Sequence, residues 1–167
     1  MKWCFVSIFF LVAYIQLKAQ INSDSITLNG LDFQSTSFKI KKVNGPPIDS
    51  FKLNYDCVFL FSAQGEKPFW CLNYGYYSFA GNNEFGFVLK QLIIDSQQNQ
   101  VLHFYGNVLN KNTSKKQFQD LLFKKLDQYF IILPDSGTII NYKNSDDGLI
   151  FTFKNDRLYK VEYYSPC

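Results

Sequence analysis

Apolar and polar residues along this chain alternate mainly with a period of two, and the helical period of 3.6 is confined to two short stretches. Ser25–Leu28 reads as a short strand that ends at the turn pair Asn29-Gly30. Residues 54–61 and 68–79 read as two longer strands joined at Ala63–Glu66. Residues 85–94 and 101–105 are the next strands, separated by a Gln-rich polar connection over 95–100. Further strands are predicted over 130–133, 138–142, 149–154 and 157–164. Asn155-Asp156 joins the last two, and both residues tolerate the positive φ that a two-residue hairpin turn requires.

The clearest helix spans about 114–127. Ser114 and Gln117 fit a capping box, in which each side chain takes a backbone N–H that the first turn leaves without a partner. Phe118, Leu121, Leu122 and Leu126 then form one apolar stripe, with Phe123 standing outside it. A second, short helix over about 36–43 competes with a strand reading. Ser35-Thr36-Ser37 supplies caps, and Asn44-Gly45-Pro46-Pro47 stops whatever forms. The order short strand, glycine turn, capped segment, strands occurs twice, around Gly30 and around Gly106. It suggests two related halves of helix plus β-meander, although residue identity between them is poor. The expected class is α+β, a largely antiparallel sheet of hairpins packed by one main helix.

The N-terminus follows a different pattern. Lys2 is followed by an apolar run from Trp3 to Ile15, broken only by Ser7, and Ala19 offers a small residue at its exit. This is the pattern of a secretory signal peptide over 1–19, with cleavage between Ala19 and Gln20. The run falls short of the ~20 apolar residues a spanning helix needs, so no membrane span is expected after processing. One domain over 20–167 remains, working in the periplasm or outside the cell. Export also changes the charge. The full chain carries 17 basic and 14 acidic residues, but Lys2 and Lys18 leave with the leader, so the net falls from +3 to +1. A near-neutral domain gives no electrostatic case for a nucleic-acid partner.

Export makes a disulfide chemically available. Cys57, Cys71 and Cys167 lie beyond the leader. If strands 54–61 and 68–79 pair around a three-residue loop centred on Gln64, Cys57 falls opposite Cys71, within disulfide reach; a one-residue slip puts Leu72 there instead.

Catalytic inventory is thin. His103 is the one histidine, inside a predicted strand, and a Cys71–His103 pair is the best nucleophilic arrangement on offer. The cysteines lack zinc-finger spacing, and Asp146-Asp147-Gly148 starts like a calcium loop without its alternating ligands or distal Glu. There is no phosphate loop, dinucleotide fingerprint or nucleophile elbow. No catalytic residue, metal or cofactor is therefore assigned. The dense aromatic segment 70–79 is the most suggestive stretch. As one strand it would place Trp70, Leu72, Tyr74 and Tyr76 on a single face, either packed under a helix or forming a recognition surface of Trp70, Tyr74 and Tyr76.

Five segments taken in order carry a resemblance: Ile26–Gly30, Gly45-Pro46-Pro47, Trp70 with Tyr74–Tyr77, Phe104–Val108 before the helix, and Asp147–Phe151. Together they resemble a loose group of small exported bacterial domains of unknown function, some of immunity-protein type against secreted toxins. The resemblance implies an α+β fold and a non-enzymatic role. It carries over no binding residue, because the segment around Trp70 is aromatic here where the group would have an acidic one. The expected function is an exported protein-binding domain, of immunity or inhibitor type, for an envelope or secreted partner. The alternative is a carbohydrate- or cell-wall-binding module using surface aromatics.

Overall fold

The computed structural model describes residues 20–21, 26–53, 68–94, 100–126, 131–132, 137–142 and 147–165. Fourteen strands and two helices follow one another through these residues. They are β1 (Gln20–Ile21), β2 (Ile26–Leu28), β3 (Leu31–Asp32), β4 (Gln34–Ser35), α1 (Ser37–Asn44), β5 (Asp49–Lys52), β6 (Trp70–Asn73), β7 (Tyr77–Asn82) and β8 (Gly86–Ile93). After these come β9 (Leu102–Phe104), β10 (Asn107–Leu109), α2 (Lys115–Leu126), β11 (Ile131–Ile132), β12 (Gly137–Tyr142), β13 (Gly148–Lys154) and β14 (Arg157–Tyr164). Ten strands form a large sheet in the order β1-β12-β13-β14-β8-β7-β6-β5, with β11 on β12 and β4 on β8; four form a small sheet, β10-β9-β2-β3. Every pairing is antiparallel except β1 with β12. The α+β class expected from the pattern is the class observed.

The local signals act where the sequence places them. Ser114 Oγ accepts from Gln117 N at 3.1 Å, and Gln117 Oε1 accepts from Ser114 N at 2.9 Å, so the capping box is complete. Thr36 caps α1. Asn155 and Asp156 have φ of 51° and 61°, as a tight hairpin turn requires.

The repeated order has a spatial counterpart. β2 and β9 are adjacent and antiparallel, with Thr27 opposite His103 and the flanking pairs Ile26–Phe104 and Leu28–Leu102 symmetric about it. Each strand runs into a turn of the same shape: φ is 52° and 79° at Asn29-Gly30, and 49° and 77° at Tyr105-Gly106. Each hairpin leads to a capped helix whose residue four past the cap, Ile40 or Phe118, is fully buried. Each helix leads to a four-strand meander, β5–β8 or β11–β14. The last strands of the two meanders pair antiparallel, Leu92 opposite Val161. Even the strand edge before each helix docks alike: Ser35 pairs with Phe87 at the start of β8, and Ser114 with Arg157 at the start of β14.

One core results. The inner face of the large sheet contributes Leu72, Phe79, Leu89, Leu92, Leu149, Phe151 and Val161, and the small sheet contributes Ile26, Leu28, Leu102 and Phe104. Phe118 fills the space between the sheets, its ring 4.5 Å from Phe151 and 5.6 Å from both Phe104 and Phe153. Phe123, on the opposite side of α2, is 60% exposed. Phe118→Ala should therefore cost about 3–5 kcal/mol of stability, whereas Phe123→Ala should stay within about 0.5 kcal/mol; urea unfolding of the two variants checks the difference.

Candidate functional site

The aromatic stretch 68–79 is two strands of a hairpin. Asn73 Oδ1 accepts from Gly75 N at 2.8 Å, Gly75 has φ of 86°, and Tyr74 N bonds Tyr77 O at 2.9 Å, which folds β7 back onto β6. Only glycine adopts such a φ without strain. The one-strand expectation is thus corrected by a single backbone turn. Trp70, Leu72 and Tyr74 do share a face, and it is the inner one. Leu72 is buried and Tyr74 packs against the core, while Trp70 at the outer end is 41% exposed. Tyr76 lies beyond the turn and lines a depression on the outer face. The three candidate recognition residues therefore do not form one platform.

Tyr74 and Tyr77 form a stacked pair, ring centres 5.2 Å apart and planes within 9°. The Tyr77 hydroxyl donates to Asn44 Oδ1 at 2.8 Å. Asn44, the last residue of α1, also accepts from Asn29 Nδ2 at 3.2 Å, and Asn29 Oδ1 accepts from Val101 N at 3.0 Å. This chain of bonds ties the β7 end of the large sheet, through α1, to the junction of the two halves. The Tyr74 hydroxyl, by contrast, is buried without a partner. Burial pushes its pKa up to about 12, with a smaller contribution from Tyr77, and burial raises Tyr77 as well.

On the outer face, Cys71 stands between Phe51 of β5 and Ala80 of β7 in the ladder. The strand beside β6 is β5, so the position from which Cys57 was expected to reach Cys71 belongs to Phe51. Cys57 and the 54–61 segment lie outside the described residues, and Cys71 is a free, buried thiol. Cys71, Ser78 and Lys90 line a depression of about 230 Å³ together with Phe51 and Tyr76. Burial raises the thiol pKa; the Lys90 ammonium and a hydrogen bond with Ser78 lower it by less, so the group stays protonated near neutrality. A protonated, buried thiol is a poor nucleophile. His103 lies on the outward side of the small sheet, in a row with Thr27 and Val108. The whole core separates it from Cys71, so the two form no catalytic pair. Asp147 is buried just before β13, and Asp146 lies outside the described residues. Among the described residues no three His, Cys, Asp or Glu side chains converge as metal ligands would.

Two further features were not legible as site residues. A groove of about 600 Å³ runs between β10 and α2, but its polar walls are engaged internally. Asn107 bonds Phe104 O and Tyr105 O, Asn110 bonds Asn112 N, and Gln117 closes the cap. At the opposite end of the molecule β5 forms the last strand of the large sheet among the described residues. All four of its residues are exposed, with Phe51 at 44% and the preceding Ile48 at 77%. Nothing in Asp49-Ser50-Phe51-Lys52 alternates strongly enough to reveal a strand from sequence.

The fold defines an α+β domain, largely antiparallel sheet with two helices among the described residues. Comparison with protein-family models, with curated proteins and with solved structures returns no match. Among the described residues no helix is long and apolar enough to cross a membrane.

The tyrosine pair sets a pH signature. Below pH 10 Tyr74 is protonated in both folded and unfolded chains. Between 10 and about 12 the unfolded chain releases a proton that the folded chain retains, so stability falls as pH rises through that window. Tyr74→Phe should remove this part of the alkaline decline and be neutral or stabilising at pH 7, because it deletes an unpartnered hydroxyl. Tyr77→Phe should cost about 1 kcal/mol through loss of the Asn44 bond. Denaturant unfolding of the three proteins from pH 7 to 12 tests this, and an alkaline decline unchanged in Tyr74→Phe would contradict the burial account.

Proposed function

We propose that this chain is an exported, non-enzymatic protein-binding domain, of immunity or inhibitor type, acting on a partner in the cell envelope or outside it. The leader-like residues 1–19 support the compartment. The protonated Cys71, remote from His103, supports a role in binding rather than catalysis. The observation that carries the reading is the β5 edge. A terminal strand presents a row of backbone N–H and C=O groups, and natural proteins usually blunt such edges with charge or cover. β5 carries a charge at each end, Asp49 and Lys52, but between them it exposes Phe51, with Ile48 just before the strand. An extended segment of a partner protein fits this edge. Its main chain would extend the ladder, and its alternate side chains would meet Phe51 on one side and Ile48 on the other.

With the exported chain as bait, envelope material from its own host should yield one protein partner at equal stoichiometry. The double substitution Ile48→Glu, Phe51→Glu should weaken that capture at least tenfold, because charges would replace the apolar contacts at the centre of the interface. Phe123→Glu, on the far surface of α2, should leave it intact. A partner held equally well by the double variant would refute this edge as the interface.

A further inference from the structure

We propose that Asn29 and Asn44 form a coupled modification site, where the fold shields two points of spontaneous deamidation by making each amide hold the other. The inference does not depend on what the domain binds. Asn followed directly by Gly occurs twice in the chain, at 29–30 and at 44–45. In that pair the following backbone nitrogen reaches the Asn side chain with least hindrance, because glycine has no Cβ in the way. The surrounding fold does not crowd either glycine: a Cβ built on Gly30 or Gly45 would meet nothing within 4 Å. Protection must therefore come from the asparagines themselves.

The two pairs are 15 residues apart in sequence, yet their side chains meet. Asn29 Nδ2 donates to Asn44 Oδ1 at 3.2 Å. The other end of each amide is also held. Asn29 Oδ1 accepts from Val101 N at 3.0 Å. Asn44 Nδ2 donates to Ile40 O at 3.1 Å, and Asn44 Oδ1 accepts the Tyr77 hydroxyl at 2.8 Å. No nitrogen or oxygen of either amide is left idle. Deamidation needs the side-chain carbonyl carbon to swing back onto the next main-chain nitrogen, and these bonds hold it away. The backbone adds a second restraint. Asn29-Gly30 is fixed in a turn with φ of 52° and 79°, and Asn44 is the last residue of α1.

The reaction requires only water. The Gly30 or Gly45 nitrogen gives up its proton and bonds to the Asn Cγ. The Cγ–Nδ2 bond breaks, ammonia leaves with the electron pair and that proton, and a five-membered succinimide remains. Water then opens the ring to aspartate, or to isoaspartate with the main chain routed through the side chain. A carboxylate at 29 would set an oxygen where Nδ2 now donates, so that two acceptors would face each other across the Asn29–Asn44 contact. A carboxylate at 44 would likewise face the Ile40 carbonyl. Loss of either amide thus loosens the pair and exposes the other to the same reaction. The joint between the halves carries a one-way chemical latch.

The test uses the full chain, incubated folded and, in parallel, unfolded in urea. Mass spectrometry of the peptides carrying 29 and 44 reads the exchange of ammonia for water. In the folded parent both amides should be lost at least about tenfold more slowly than in the unfolded chain. Asn44→Ala removes the acceptor of Asn29 Nδ2 and should speed loss at Asn29 about tenfold. Asn29→Gly keeps the left-handed turn and should speed loss at Asn44 by less, since the bonds to Tyr77 and Ile40 remain. Should Asn44→Ala fail to fold, Tyr77→Phe supplies the same reading, because it deletes one Asn44 bond and should speed loss there. Phe118→Ala lowers global stability without touching either amide, and while folded it should leave both rates within about twofold of the parent. Three results would each overturn the proposal: equal rates in the folded and unfolded parent, no acceleration in the variants that break the pair, or acceleration by Phe118→Ala as large as theirs.

Discussion

Two sheets bury their main apolar faces against each other, and everything else in this protein depends on that mutual cover. Neither half of the chain can bury its meander alone. The first half supplies β2 to the small sheet and β8 to the large one, and the second half supplies β9 and β14. Thr27 meets His103 in one layer and Leu92 meets Val161 in the other, so the halves are joined twice, once in each sheet. Ile40 and Phe118 plug the layer between from equivalent places in the two halves, both fully buried. The hydrogen-bond chain from Tyr77 through Asn44 and Asn29 to Val101 makes the joint polar as well as apolar.

This arrangement determines where function can sit. The centre of the molecule is spent on joining the halves, and the rim formed by β5, β6 and the β7–β8 turn is left facing outward. There the symmetry is least complete. Trp70, Phe51 and Ile48 are exposed, and the β8 backbone approaches Gly81 so closely that no side chain fits there. The outer depression around Cys71 belongs to the same rim, but its thiol is held protonated and its neighbours do not activate it. What this rim presents among the described residues is a strand edge, β5, and an exposed indole, Trp70.

Much of this was legible in the residues. α2 was visible because Ser114 and Gln117 announce its start and Phe118 and Leu122 mark its buried side, and the final hairpin because Asn155-Asp156 can adopt positive φ. The repeat could be seen in outline, since a glycine turn and a capped helix recur. The pairing of the halves was not visible, because no local signal specifies that β8 should meet β14. The 68–79 stretch misled for a definite reason. Its aromatic alternation runs straight through Gly75, and only the backbone at φ 86° shows that the chain reverses there. β5 was missed because an edge strand with exposed side chains has no apolar period to detect. That omission also produced the expected Cys57–Cys71 register, since Phe51 holds the place assigned to Cys57. The buried, unpartnered Nδ2 of Asn82 is a property of the folded turn and has no signature in the residues.

Native-state amide hydrogen exchange tests the central claim most directly, since it reads both the joint and the rim in one experiment. The account predicts that Leu92 in β8 and Val161 in β14 exchange only by global unfolding, with equal free energies, and that β5 exchanges many orders of magnitude faster. Separate exchange free energies for the two strands would show that the halves fold independently. Protection of β5 equal to that of β8 would show that the edge is covered, and either result would contradict the account.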